Sequence, residues 1–247
     1  MNKLVFLFLF LFFPFMVLHS KVLEFKPEQK AHYFLEYSIE GCPLFEEASL
    51  KASLAFNICI LEGHAYPFTV RINLQKAACD GIAVEGSGSH LEYLIMTPDQ
   101  VEELTGGEMH PAIEFSLKVF LGQLFQLSGG TIMPERSYRL FSYYLLHDLD
   151  DPIYVGGNYQ ILENSALNVE KVTENEIKGK WVGYSYVKDG TFFEGRVDVD
   201  GTIQWNLKNP LVQQRRNTIQ LIELNRDYST GIQTTTSILI KQKWKSR

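Results

Sequence analysis

The densest set of oxygen and imidazole groups in the chain lies just before a proline. His147, Asp148, Asp150 and Asp151 put an imidazole and three carboxylates into five positions ahead of Pro152. Carboxylates at such spacing suit a hard cation such as calcium, which takes oxygen ligands. The run holds no glycine to sharpen its turn, and it is not an EF-hand. A cation loop and a plain solvated loop are both open readings. If the protein is a hydrolase whose site is assembled from distant residues, His147 and Asp148 are its candidates. No Gly-x-Ser-x-Gly elbow, phosphate-binding loop or His-Glu-x-x-His motif occurs. Ser87 and Ser89 stand beside His90, but a base must reach its nucleophile in space. Neighbouring residues on a strand point to opposite faces, so Gly86–Ser89 reads as a flexible turn.

Aromatic residues suggest a different chemistry. Tyr143, Tyr184, Tyr186, Phe193 and Trp205 fall in or beside what reads as the second sheet. They are expected either to line an apolar cavity for a lipid-like ligand or to pack one sheet against its neighbour. Three cysteines occur, Cys42, Cys59 and Cys79, so one thiol is left over in any pairing. Cys59 and Cys79 are the expected disulfide, since they fall on strands that should be neighbours. The alternative is three small buried hydrophobes. The spacing fits no zinc pattern, and no cofactor is implied.

These residues need elements to position them, and the pattern is mostly that of strands. Val182, Tyr184 and Tyr186 alternate, and Asp189-Gly190 and Asp200-Gly201 are dipeptides that tight hairpins favour. Residues 176–205 therefore read as three strands joined by two turns. Ser49 to Leu61 alternates over more than a dozen positions, and Tyr66 to Leu74 repeats the pattern. His32–Ile39, 79–84 and 90–96 read as further strands, as do 158–163, 167–172, 215–224 and 231–244. Thr97-Pro98-Asp99 has the form of a helix start, with a stop at Gly106-Gly107. Phe115–Leu127 shows helical spacing as well. The expected fold is mainly β: two antiparallel meander-type halves, 21–136 and 137–247, forming an open barrel or sandwich, with a short helical insertion near 97–128.

Residues 1–20 read as a signal peptide. Lys3 precedes an apolar run from Leu4 to Leu18, and Ser20 is a small residue at the border. Fifteen residues are short of the ~20 that a membrane span needs. The expected location is periplasmic or secreted, with no span left after cleavage. An uncleaved N-terminal anchor is the alternative. Net charge is −6, which does not favour nucleic acid as a partner. The short basic clusters, Arg215-Arg216 and Lys241, Lys243, Lys245 and Arg247, read as solvated strand edge.

The stretch Asp151-Pro152-Ile153-Tyr154-Val155-Gly156-Gly157-Asn158-Tyr159, behind an export signal and ahead of a strand, resembles a pattern in exported bacterial β-rich proteins of unknown function. In those proteins a proline, then Val-Gly-Asp and a Trp, introduce the second sheet. Gly157 stands here where Asp is usual, and Tyr159 where Trp is usual. The resemblance implies a second sheet from this point and carries no activity with it. The expected role is an exported, non-catalytic binding protein with a protein partner or a hydrophobic small molecule. A carrier holding its ligand in a curved sheet is the sharper form of that role.

Overall fold

Alternation of apolar and polar residues runs through most of the chain, and it is satisfied by strands whose apolar phase faces one side. The computed structural model describes residues 20–41, 49–84, 90–97, 100–106, 109–139, 160–189, 193–227 and 232–246. The first part contains β1 (Lys21–Val22), β2 (Lys30–Glu40), β3 (Ser49–Glu62), β4 (Phe68–Cys79), β5 (Ile82–Ala83), β6 (His90–Thr97) and β7 (Gln100–Thr105). A helix, α1 (Pro111–Leu124), and short β8 (Thr131–Ile132) follow. The second part contains β9 (Ser137–Arg139), β10 (Gln160–Val172), β11 (Glu176–Asp189), β12 (Phe193–Asn206), β13 (Gln213–Asp227) and β14 (Ile232–Ser246).

The fold is mainly β and antiparallel, as the alternation predicts. The strand order is β7-β6-β4-β3-β2-β14-β13-β12-β11-β10-β9, with β5 attached to β4. Each half is a meander in chain order. The last strand, β14, pairs with the first long one, β2, from Leu239↔Glu40 to Ser246↔Tyr33. The halves are therefore fused into one open sheet with edges at β7 and β9. The second meander begins with β9 at Ser137.

One phase of the strands forms the core. Tyr33 and Leu35 on β2, Leu54, Phe56, Ile58 and Ile60 on β3, and Phe68, Val70 and Ile72 on β4 are all fully buried. Each such side chain contributes ~1.5–3 kcal/mol relative to leaving it in water. Gln75 is an extra residue in β4, where the register shifts between Ala55↔Lys76 and Phe56↔Leu74. That bulge re-phases the strand, so Ala77 and Cys79 stay buried although their parity differs from Leu74.

The helix lies over the first meander, approaching β3, β4, β6 and β7 most closely. Pro111 opens it at the position where a missing N–H costs nothing. Ile113, Leu117, Phe120, Leu121 and Leu124 recur at helical spacing and are buried. Phe120 meets Tyr33, Phe56 and Trp244 with ring centroids 4.8, 5.2 and 5.0 Å away. Phe125 stacks on Phe68 at 4.3 Å. Among the described residues no helix is long and apolar enough to cross a membrane.

Four expectations need correction. Thr97-Pro98-Asp99 starts no helix: β6 runs to Thr97, and Thr97 pairs with Gln100 as β7 turns back. The real helix begins at Pro111, four residues before Phe115, and ends at Leu124. The expected strands 158–163 and 167–172 are one strand, β10. Asp200-Gly201 is no turn, because β12 runs straight through it. Gly201 pairs with Asn217 on β13 and is buried against it. A Cβ at Gly201 would lie 2.3 Å from Asn217 Oδ1 and 2.8 Å from the Arg216 carbonyl oxygen. That glycine serves a close packing contact, which local sequence does not distinguish from a turn.

Candidate ligand-binding site

The second meander carries a buried cation, and the local sequence explains how. Along β13, Gln213, Arg215 and Asn217 occupy the buried phase, each no more than 2% exposed, while Gln214, Arg216 and Thr218 face outward. The basic dipeptide is thus split by the pleat, one arginine to each side. This corrects the reading of Arg215-Arg216 as a solvated edge: β13 is an interior strand.

Arg215 is sandwiched by indoles. Its guanidinium carbon lies 4.9 Å from the ring centroids of both Trp181 and Trp244. Trp244 is its direct cross-strand partner on β14. Trp181 comes from β11, two strands away, and pairs in register with Gly201 on the intervening β12. Cation–π contacts of this kind are worth ~0.5–2 kcal/mol each. Arg215 Nη1 donates to Gln123 Oε1 at 2.8 Å, in the last turn of α1, where the helix dipole favours a cation. Gln213 Nε2 donates to the Leu124 carbonyl at 3.0 Å and to the Pro210 carbonyl at 3.1 Å. Ser246 Oγ donates to the Gln213 carbonyl at 2.9 Å, and the Tyr33 hydroxyl donates to the Leu211 carbonyl. The end of the helix is thereby fastened to β13.

Several buried donors gather around Arg215. Arg215 Nε, Trp181 Nε1, Trp244 Nε1 and Gln123 Nε2 are buried without a hydrogen-bond partner among the described residues. No described carboxylate forms an ion pair with Arg215. Burial pushes its pKa down to about 9, so it still carries its proton at neutral pH. An uncompensated buried charge is costly, and buried donors are normally satisfied. The arrangement can accept an oxyanion. It holds no nucleophile paired with a base.

The other side of the sheet bears a groove of about 480 Å³ across β13, β14, β2 and β3. Lys51, Arg216, Lys241 and Lys243 line it, with Glu36. Lys243 pairs with Glu36 and Lys241 with Glu40, both at 2.9 Å, across the seam between the halves. Much of its charge is thus already engaged. Phe34, 49% exposed, lies beside it near Lys243 and Lys245.

The residues named from sequence fare unevenly. Tyr143, His147, Asp148, Asp150 and Asp151 lie outside the described residues. Among the described residues no group of three or more His, Cys, Asp and Glu could hold a metal. Trp205 is 4% exposed, in the buried phase with Ile203. Phe193 begins β12 in register phase with Trp205, opposite Asn225. Tyr184 and Tyr186 pair with Asp198 and Arg196, out of phase with Trp181. Tyr184 and Tyr186 therefore do not share the phase of Phe193 and Trp205.

The expected disulfide is absent: Cys59 and Cys79 are free. Their strands are neighbours, but Cys59 pairs in register with Arg71 while Cys79 pairs with Ala52. Seven residues of strand separate the two levels, roughly 23 Å at ~3.3 Å per residue, far beyond disulfide reach. Cys79 lies in the core phase, and burial together with the adjacent Asp80 raises its pKa to about 11.

Arg215 itself was the residue sequence reasoning missed. The signal was present: Arg215 shares strand parity with Ile219 and Leu221, and Arg216 with Thr218 and Gln220. No protein-family model matches the chain, and no curated protein matches it significantly.

Proposed function

We propose that the protein is an exported, non-catalytic binding protein that carries a hydrophobic ligand on the helix side of its second meander. One observation carries this reading. The strand phase containing Trp205 and Arg215 continues through Val199 and Val197 on β12, Ile219 and Leu221 on β13, and Ile240 and Ile238 on β14. Gly183 and Gly195 belong to the same phase. The helix lies mainly over the first meander and reaches β13 and β14 at Gln213, Arg215 and Trp244. The apolar pairs of β13 and β14, bounded by Asn217 and Gln242 towards Arg215 and by Glu223 and Thr236 beyond, suit a short apolar segment of a ligand. The apolar run from Leu4 to Leu18 supports export of the chain.

Native mass spectrometry of residues 21–247, purified from the exported fraction without detergent, tests the proposal together with titration by a fluorescent fatty-acid analogue. Extra mass of lipid size, lost on organic extraction, and saturable uptake of the analogue are expected. A bare mass with no saturable uptake overturns the reading. The cationic groove beside exposed Phe34 favours a second reading, contact with an acidic protein surface. Salt-sensitive cross-linking to one envelope protein would mark it.

A further inference from the structure

We propose that Arg215, Trp181 and Trp244 form the seat for the oxyanion head of an amphipathic ligand, whose tail follows the apolar phase of β12, β13 and β14. This rests on the carrier reading and specifies its ligand class. Three buried donors have no hydrogen-bond partner among the described residues: Arg215 Nε and the two indole N–H groups. All belong to the cluster in which both rings flank one guanidinium at 4.9 Å. A guanidinium presents a planar fork that matches an oxyanion with two parallel bonds.

Among the described residues the acceptor on that fork is a neutral amide oxygen, Gln123 Oε1. The amide's own Nε2 is without a partner, so Gln123 gives up a single hydrogen bond when it swings aside. It stands where a ligand oxygen would bind. From Arg215 the same phase passes Asn217 and reaches Ile219 and Leu221, while β14 leads from Trp244 to Ile240 and Ile238. Arg215 to Leu221 is six residues, roughly 20 Å of strand at ~3.3 Å each. A long-chain acid extended along β13 would keep its head on the guanidinium and cross the Asn217–Gln242 pair before its tail meets Ile219 and Leu221. A carboxylate and a phosphate monoester share this head chemistry.

The test uses tryptophan fluorescence, because two of the three tryptophans flank the seat. Delipidated protein is titrated with palmitic acid, hexadecyl phosphate and hexadecanol. The anionic compounds should bind at least about tenfold more tightly than the alcohol, as charge-assisted hydrogen bonds dictate. Which anion binds better identifies the head. Arg215→Met should erase the preference for the anions over the alcohol. Trp181→Phe keeps an aromatic face but removes the N–H, and should weaken the anions a few-fold. Equal binding of acid and alcohol by the wild-type protein overturns the seat and leaves the carrier reading standing. Failure of all three to bind overturns both. A preference that survives in Arg215→Met and in Trp181→Phe places the head elsewhere and also overturns the seat.

Discussion

The two meanders share one sheet, one register and one buried side, yet they solve burial differently. In the first, Leu54, Phe56, Ile58, Phe68, Val70 and Ile72 meet the apolar ridge of α1, and aromatic rings interlock at 4.3–5.9 Å. In the second, β13 places Gln213, Arg215 and Asn217 in the same phase, and the end of α1 answers with Gln123 and the Leu124 carbonyl. An apolar face needs only shape to be satisfied, whereas a polar one needs partners for every donor. The first half is closed mainly by apolar packing under α1. In the second, Arg215 and two indoles keep buried donors without a partner among the described residues.

Variants can break that contrast at several strengths. Phe120→Ala should be the most damaging, because it removes the ring that ties α1 to Tyr33, Phe56 and Trp244. A loss of ~3–5 kcal/mol is expected in urea unfolding. A loss below 1 kcal/mol would mean that the helix is not what closes the first meander. Gly201→Ala should cost ~1–3 kcal/mol by overpacking, since the added Cβ meets the Arg216 carbonyl on the paired strand. If instead Asp200-Gly201 were a turn, the same change would shift strand boundaries, visible as lost hydrogen-exchange protection along β12.

Smaller effects sharpen the outer side. Replacing Lys241 and Lys243 together by alanine should cost less than ~1 kcal/mol, because both are about half exposed and solvent screens their pairs. The loss should shrink further in 1 M salt. A larger, salt-insensitive loss would make the seam between the halves electrostatic and not apolar. The smallest effect concerns the thiols. Reducing agent should leave the melting temperature unchanged, since Cys59 and Cys79 are unpaired. In a Cys42→Ser/Cys59→Ser variant, Cys79 should resist thiol reagents at pH 8. Its pKa is raised from 9.0 to about 11, so its thiolate is on the order of a hundredfold scarcer than in the unfolded chain. Labelling should accelerate as pH rises toward 11; a rate independent of pH would contradict the burial.

Much of the fold is legible from residues alone. Alternation over Ser49–Leu61 and from Tyr66 onward specifies strands that each bury one phase, and successive strands at short spacing specify antiparallel meanders. The helix is visible as apolar spacing within Phe115–Leu127, though its start at Pro111 is not. Local signals misled where two structures share one cue. Thr97-Pro98-Asp99 suits a helix start, yet β7 can pair with β6 and so becomes a strand. The candidate site was barely legible. Tyr184 and Tyr186 were grouped with Trp205 by proximity in sequence, but register sets them in the other phase.

The sequence by itself determined that the chain is mostly a run of half-buried antiparallel strands with helical spacing within Phe115–Leu127, because periodicity is a local property. Only the tertiary structure decided that β14 closes on β2, that the bulge at Gln75 keeps Cys79 in the core far from Cys59, and that Arg215 lies between Trp181 and Trp244. Those outcomes depend on which strands pair and at what register. A shift of one residue exchanges the two faces, and no single strand carries that information.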